Sequence, residues 1–264
     1  MIAFLAASVL ALQSLAASSV LSTTVQPLPV GSLVRSQLVV PGGATVTVES
    51  AVFPRDRVSL GIIDYPFGGP PGATVSRSVV EHVLAAIGSG YFRGGYRPKG
   101  LLVMDGSVHE PASNDLSGVV GSTRDGRPVV TWIDGLDAHA LRYAMQAGPF
   151  VVDPGGLPGI RRDDRSRQRR SVVIESDDAI AVAVTSDCGL YDLMNALLLT
   201  PQAFGVGRVD RALNLSGGPS SGLAVRLPSG SVESVPETIR IRSVLTVVER
   251  DDPAPRGSPQ PKSP

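Results

Sequence analysis

This chain is short of the residues that build metal centres, disulfides and charged surfaces. Cys188 is the one cysteine in 264 residues, which excludes an internal disulfide and any cysteine-rich metal site. The three histidines, His82, His109 and His139, are scattered and form no His-x-x-x-His or His-x-His pair, so the sequence writes no zinc site. The 24 basic and 24 acidic residues cancel, which removes the electrostatic case for non-specific binding to nucleic acid or to anionic lipid. Beyond the N-terminus, no charge-free apolar run is long enough to span a bilayer. Charged residues make up only 18% against 42% hydrophobic, the balance of a globular chain.

What is abundant is glycine and proline, 29 and 22 residues, which favours turns and short strands over long helices. The run Met1–Leu12 is apolar and reaches small residues at Ala16-Ala17-Ser18-Ser19, the pattern of a signal peptide over 1–19, although its first residues carry no lysine or arginine. That pattern predicts a periplasmic or secreted protein with no stable membrane insertion once the leader is removed. Residues 20–43 read as a linker and the approach to a first strand, 44–250 as one domain, and the Pro- and Ser-rich stretch 251–264 as a disordered tail.

Within the domain, Ala44–Phe53 alternates apolar and polar residues as a half-buried strand does, with Val58–Asp64 as its partner. Ser76 is placed to cap a helix carrying Val79, Val80, Val83, Leu84 and Ile87 on one face, ending at Gly88. Leu101–Met104, Val129–Ile133 and Ala147–Asp153 read as short strands, and Ser171–Ile174 with Ala179–Val184 as a hairpin. Ser186 or Asp187 is placed to cap a second helix with Leu190, Leu193, Met194, Leu197 and Leu198 at helical spacing, stopped by Pro201. Ala212–Leu215, Leu223–Val225 and Ile241–Val248 complete the strands. The expected fold is a single α+β domain, a mixed and largely antiparallel sheet covered by two principal helices.

The most informative stretch is Arg211–Gly222, in which a short apolar strand runs into Ser216-Gly217-Gly218-Pro219-Ser220-Ser221-Gly222. Adjacent glycines leave backbone N–H groups open to an anionic oxygen. The segment resembles the signature of the phosphodiester glycosidase family, Asn-Leu-Asp-Gly-Gly followed by Ser-Ser, with Ser216 where that family carries its aspartate. Four more landmarks fall in the family's order: Gly88-Ser89-Gly90-Tyr91-Phe92, with Gly88 for an asparagine; Pro98–Val103; Gln146–Phe150; and Arg170–Ile174.

The resemblance implies hydrolysis of a sugar-1-phosphodiester, with a sugar-phosphate or polysaccharide as substrate. It places Arg170, Ser216 and Ser220 at the catalytic centre and Tyr91, Phe92, Gln146, Gly217, Gly218 and Ser221 along the substrate. Arg170 is suited to phosphate because a guanidinium binds its oxygens bidentately. No cofactor is implied, and no metal is assigned. A serine has no charge at neutral pH, so Ser216 does not replace an aspartate as acid or base. Asp105, Asp187, Asp192 and Asp210 are the candidate carboxylates to compensate, each equally explained as a cap or turn residue.

Other chemistries are weaker. Gly218–Gly222 fits a Gly-x-Ser-x-Gly elbow, but a strand pattern follows it and every histidine precedes Ser220. Cys188 at a helix start suits either a reactive thiol or a small buried apolar residue. Three readings follow: an exported hydrolase acting on envelope or exopolysaccharide glycans, a glycan- or phosphoglycan-binding relative that has lost catalysis, and a structural envelope domain. The basic run Arg161–Arg170 reads as a solvated loop, with closure over substrate as its functional alternative.

Overall fold

A computed structural model describes residues 18–163 and 165–250. The leader expected over 1–19 lies almost wholly outside these residues, and the tail 251–264 lies entirely outside them. The described chain is mostly β, which overturns the α+β expectation of two principal helices over one sheet. Three large antiparallel sheets pack together instead, in addition to a two-stranded ladder of Phe92–Arg93 and Arg97–Pro98. The largest runs in the order Ser19–Pro27, Ser32–Val39, Thr45–Pro54, Ala179–Cys188, Gln168–Glu175, Arg211–Gly217, Phe150–Asp153, Leu157–Pro158. A second has the order Pro128–Trp132, Gly118–Thr123, Leu141–Ala147, Leu102–Met104, Ser107–Glu110. The third has the order Val232–Val235, Leu223–Arg226, Val83–Ser89, Ser243–Glu249, Val58–Asp64.

The first expected helix is the main correction. Only Thr74–Arg77 is helical, and Val83–Ser89 is a strand. Val83, Leu84, Ala85, Ala86 and Ile87 are all buried, because this strand lies between Leu223–Arg226 and Ser243–Glu249 with protein on both faces. A strand buried on both faces shows a continuous apolar run, which also satisfies a helical period. His82, at a φ of 67°, makes the turn that separates it from the preceding residues. Within the segment read as a linker, Ser19–Pro27 and Ser32–Val39 are strands paired in register with each other. The second helix stands as Leu190–Leu199, but Gly189 holds the N-cap position in place of Ser186 or Asp187.

The principal core lies where the sheets face one another. Leu33 and Phe53 from the large sheet, Leu60, Ile87 and Leu245 from the third, and Leu102, Val120 and Met145 from the second form one buried cluster. Ser122 Oγ donates to the Leu60 carbonyl at 2.7 Å, satisfying a buried polar pair across two sheets. On the other face of the large sheet, Leu193, Met194 and Leu197 of the helix cover Val172, Ile174, Ala181 and Ala183. Among the described residues no helix is long and apolar enough to cross a membrane.

Strand Arg211–Gly217 is where the sheets meet. Gly90 N–H donates to the Leu215 carbonyl at 3.1 Å, from the end of the third sheet. Gly148 N–H donates to Asn214 C=O at 3.0 Å and Asn214 N–H to Pro149 C=O at 3.1 Å, from the link between the second sheet and the first. The family landmarks, far apart in sequence, converge on this crossing.

Candidate functional site

Arg170 is the most unusual residue at the crossing. It pairs in register with Gly217 on the neighbouring strand and is 4% exposed. Its Nε donates to the Cys188 carbonyl at 3.3 Å and its Nη2 to the Ser166 carbonyl at 3.1 Å. Among the described residues no carboxylate pairs with it, unlike Arg167 in the preceding loop, which bridges Asp163 and the buried Asp192. Among the described residues the Arg170 guanidinium is thus held by carbonyls rather than by a carboxylate, and burying a charge without a counter-charge is costly.

Gly217 lets that charge meet the main chain. A Cβ there would stand 3.1 Å from an Arg170 terminal nitrogen and 2.9 Å from Gln168 Nε2. Gly218 takes a φ of 68°, a left-handed conformation that suits glycine, and opens the turn Gly218–Ser220. Gln168, which the sequence reading passed over, thus stands beside both glycines. The turn that follows is tied down internally. Ser220 Oγ donates to the Gly217 carbonyl at 3.0 Å, and Ser221 is fully buried.

Tyr91 joins the same group from the third sheet. Its hydroxyl donates to the Gly148 carbonyl at 2.8 Å and accepts from Asn214 Nδ2 at 2.6 Å. Burial pushes the phenol's pKa up, while the Arg170 charge and the Asn214 hydrogen bond pull against it. Buried oxygens without a protein partner concentrate on these segments: Ser89 Oγ, Ser171 Oγ, Asn214 Oδ1 and Ser221 Oγ.

The two departures from the family motif form one contact. Ser216 is buried, and its Oγ donates to the Gly88 carbonyl at 3.1 Å. A Cβ on Gly88 would stand 2.4 Å from the Ser220 carbonyl oxygen, so the position where the family carries asparagine is closed here by the turn itself. The serine hydroxyl is committed to that carbonyl.

Other expected site residues are placed elsewhere. Gln146 is a structural clasp: its Oε1 accepts from the N–H groups of Leu101 and Ser113 at 2.9 Å, and its Nε2 donates to the carbonyls of Ser113 and Leu116 at 2.6 Å. All its hydrogen-bonding capacity is used in fixing the loop 113–116. Phe92 stacks on Tyr96 with centroids 5.5 Å apart. Of the compensating carboxylates, Asp105 is bonded to Tyr143 Oη at 2.6 Å, Asp210 to Arg211 at 2.8 Å and Asp192 to Arg167. Asp187 lines a separate groove with Thr45 and Arg169. Cys188 is buried against Thr185, and burial pushes its thiol pKa up, which suits the apolar role rather than the reactive one.

Tyr91 and Gly148 also line an open cleft of about 790 Å³ with Lys99, Asn114, Asp115, Trp132 and Asp134. Lys99 Nζ lies 3.2 Å from an Asp115 carboxylate oxygen, and the Lys99 N–H donates to the Tyr91 carbonyl at 2.7 Å.

A buried arginine with no carboxylate partner among the described residues, beside a double-glycine turn and next to a polar cleft, marks this mostly β domain. A model of the phosphodiester glycosidase family matches residues 81–248, and the chain belongs to that family. Its structure is similar to the catalytic domain of zebrafish N-acetylglucosamine-1-phosphodiester alpha-N-acetylglucosaminidase auto-inhibited by its pro-peptide. That match has a TM-score of 0.62 at 16% identity and covers 87% of this chain and 83% of that one. A protein from Synechocystis is similar at a TM-score of 0.59 and 15% identity, over 87% of this chain and 64% of its own. At these identities the likeness concerns the fold. Among curated proteins, no significant match to the chain was found.

Two predictions arise from this geometry. Placing the family's asparagine back, Gly88→Asn, forces a side chain against the Ser220 carbonyl and should cost about 1–3 kcal/mol in denaturant unfolding, as overpacking does; an unchanged midpoint would show that the turn moves freely. Tyr91 has a folded pKa above its unfolded value, so its neutral form contributes stability that is whole below about pH 10 and is lost as pH rises through the folded value. The stability difference between wild type and Tyr91→Phe should therefore shrink above pH 10, and a constant difference from pH 8 to 11 would contradict the burial argument.

Proposed function

We propose that this protein hydrolyses a sugar-1-phosphodiester, with the phosphate held by Arg170 and the N–H groups of Gly217 and Gly218. The observation that carries the reading is the buried Arg170 guanidinium, which has no carboxylate partner among the described residues. A bidentate guanidinium matches two phosphate oxygens, and the glycine turn adds neutral donors without steric cost.

Such a hydrolysis breaks the bond between the anomeric carbon and the phosphate oxygen. Water supplies the new oxygen on that carbon, the phosphate monoester leaves with the bonding electrons, and the proton of the water passes to solvent. A phosphate monoester has a second pKa near about 6 and is therefore a good leaving group. Stabilising its charge is then worth more than protonating it, which is the task a fixed guanidinium performs. The same argument accounts for a site in which Ser216 stands in place of an acid. Glycans of the cell envelope or an exopolysaccharide fit as substrate, and the apolar leader of the sequence supports export.

One observation favours a second reading, binding without turnover. Ser216 is buried and hydrogen-bonded to Gly88, so the position of the family aspartate carries neither charge nor a free hydroxyl. The two readings part on an assay of reducing-sugar release from a panel of sugar-1-phosphodiesters. Hydrolysis in the wild type that falls by on the order of a hundredfold or more in Arg170→Ala, as loss of a charge-stabilising donor does, supports the enzyme. No release from any member of the panel, with phosphodiester binding retained, supports the binding protein.

A further inference from the structure

The cleft beside Tyr91 differs in chemistry from the Arg170 locus. Its charged lining groups include the carboxylates of Asp115 and Asp134 and the ammonium of Lys99, and that ammonium is already paired with Asp115 at 3.2 Å. Arg93 Nη2 stands 3.9 Å from the same Asp115, so the charges at this cleft balance and leave no net positive charge to draw in a free phosphate. Its wall carries Trp132, the one tryptophan of the chain, 38% exposed at the end of its strand. The indole is backed by the buried Phe150 ring, with centroids 4.4 Å apart, so it is held in place while part of its surface faces solvent.

A rigid aromatic surface surrounded by carboxylates, an amide and hydroxyls suits a molecule with an apolar face and a hydroxylated rim. The loop carrying Asn114 and Asp115 is fixed by the Gln146 clasp, so these groups are pre-organised rather than recruited. We infer that this cleft binds a neutral pyranose, stacked on Trp132 and hydrogen-bonded by Asn114, Asp115 and Asp134, with Tyr91 between the sugar and the phosphate locus. The inference rests on the proposed hydrolysis for its biological meaning, because it supplies the sugar half of that substrate. Its geometry stands apart from Arg170.

Trp132 makes the test direct, since tryptophan emission from this chain has a single source. The full chain is titrated with N-acetylglucosamine, glucose, galactose and mannose, and with inorganic phosphate, while emission is followed. A saturable change with at least one neutral sugar and none with phosphate is expected. By calorimetry, Trp132→Ala should weaken that sugar by on the order of tenfold and Trp132→Phe by no more than about threefold, in line with aromatic stacking. Asp134→Asn, which leaves the ring packing intact, should weaken it without lowering the melting temperature. A silent panel, a change produced by phosphate instead, or undiminished binding in Trp132→Ala would each overturn the sugar site. The two proposals fail separately: sugar binding without phosphodiester turnover removes the hydrolase and leaves the cleft. Turnover with an unchanged KM in Trp132→Ala removes the cleft and leaves the hydrolase.

Discussion

The strand crossing at the centre of the fold is built around the buried Arg170 guanidinium, which has no carboxylate partner among the described residues. A guanidinium buried to 4% exposure is tolerable only where polar groups surround it, and here the carbonyls of Cys188 and Ser166 do so from the neighbouring strand and the preceding loop. Three sheets converge on the strand beside it, and the glycines at 217 and 218 let the main chain approach. Gly217 cannot accept a side chain without striking Gln168 and Arg170. The proposed phosphate locus is therefore set by backbone positions of the core rather than by surface loops.

That placement puts the two departures from the family pattern in direct contact. A larger residue at position 88 would collide with the Ser220 carbonyl, and the hydroxyl of Ser216 closes onto the Gly88 carbonyl. The two small residues make a tight strand crossing where the family has two polar side chains. What remains is the donor side of the site: Arg170, the glycine turn, and Tyr91 oriented by Asn214 and Gly148. Donors without an acid suit a reaction whose leaving group is already a stable anion.

The sequence showed its strands best where one face is buried. Thr45–Pro54 alternates, and its register with Ala179–Cys188 follows that alternation. It misled where both faces are buried, since Val83–Ser89 satisfies a helical period as well as a strand run. Ser19–Pro27 and Ser32–Val39 gave no signal because the first is largely exposed and rich in serine and threonine. Of the proposed site, the glycine turn and Arg170 are the parts that local sequence chemistry singles out. The cleft was not, because Tyr91, Asp115 and Trp132 come from separate loops and strands that only the tertiary fold brings together. The clasp made by Gln146 was not legible for the same reason: its four hydrogen bonds reach segments 30 or more residues away.

The central claim is that Arg170 and the glycine turn hold the phosphate. A crystal structure of the full chain with a non-hydrolysable sugar-1-phosphonate ester tests it most directly. The account predicts two phosphonate oxygens on the Arg170 guanidinium, with the N–H groups of Gly217 and Gly218 on the same group. A phosphonate bound at Lys99 or on the basic loop 161–169, with Arg170 left on its two carbonyls, would contradict it.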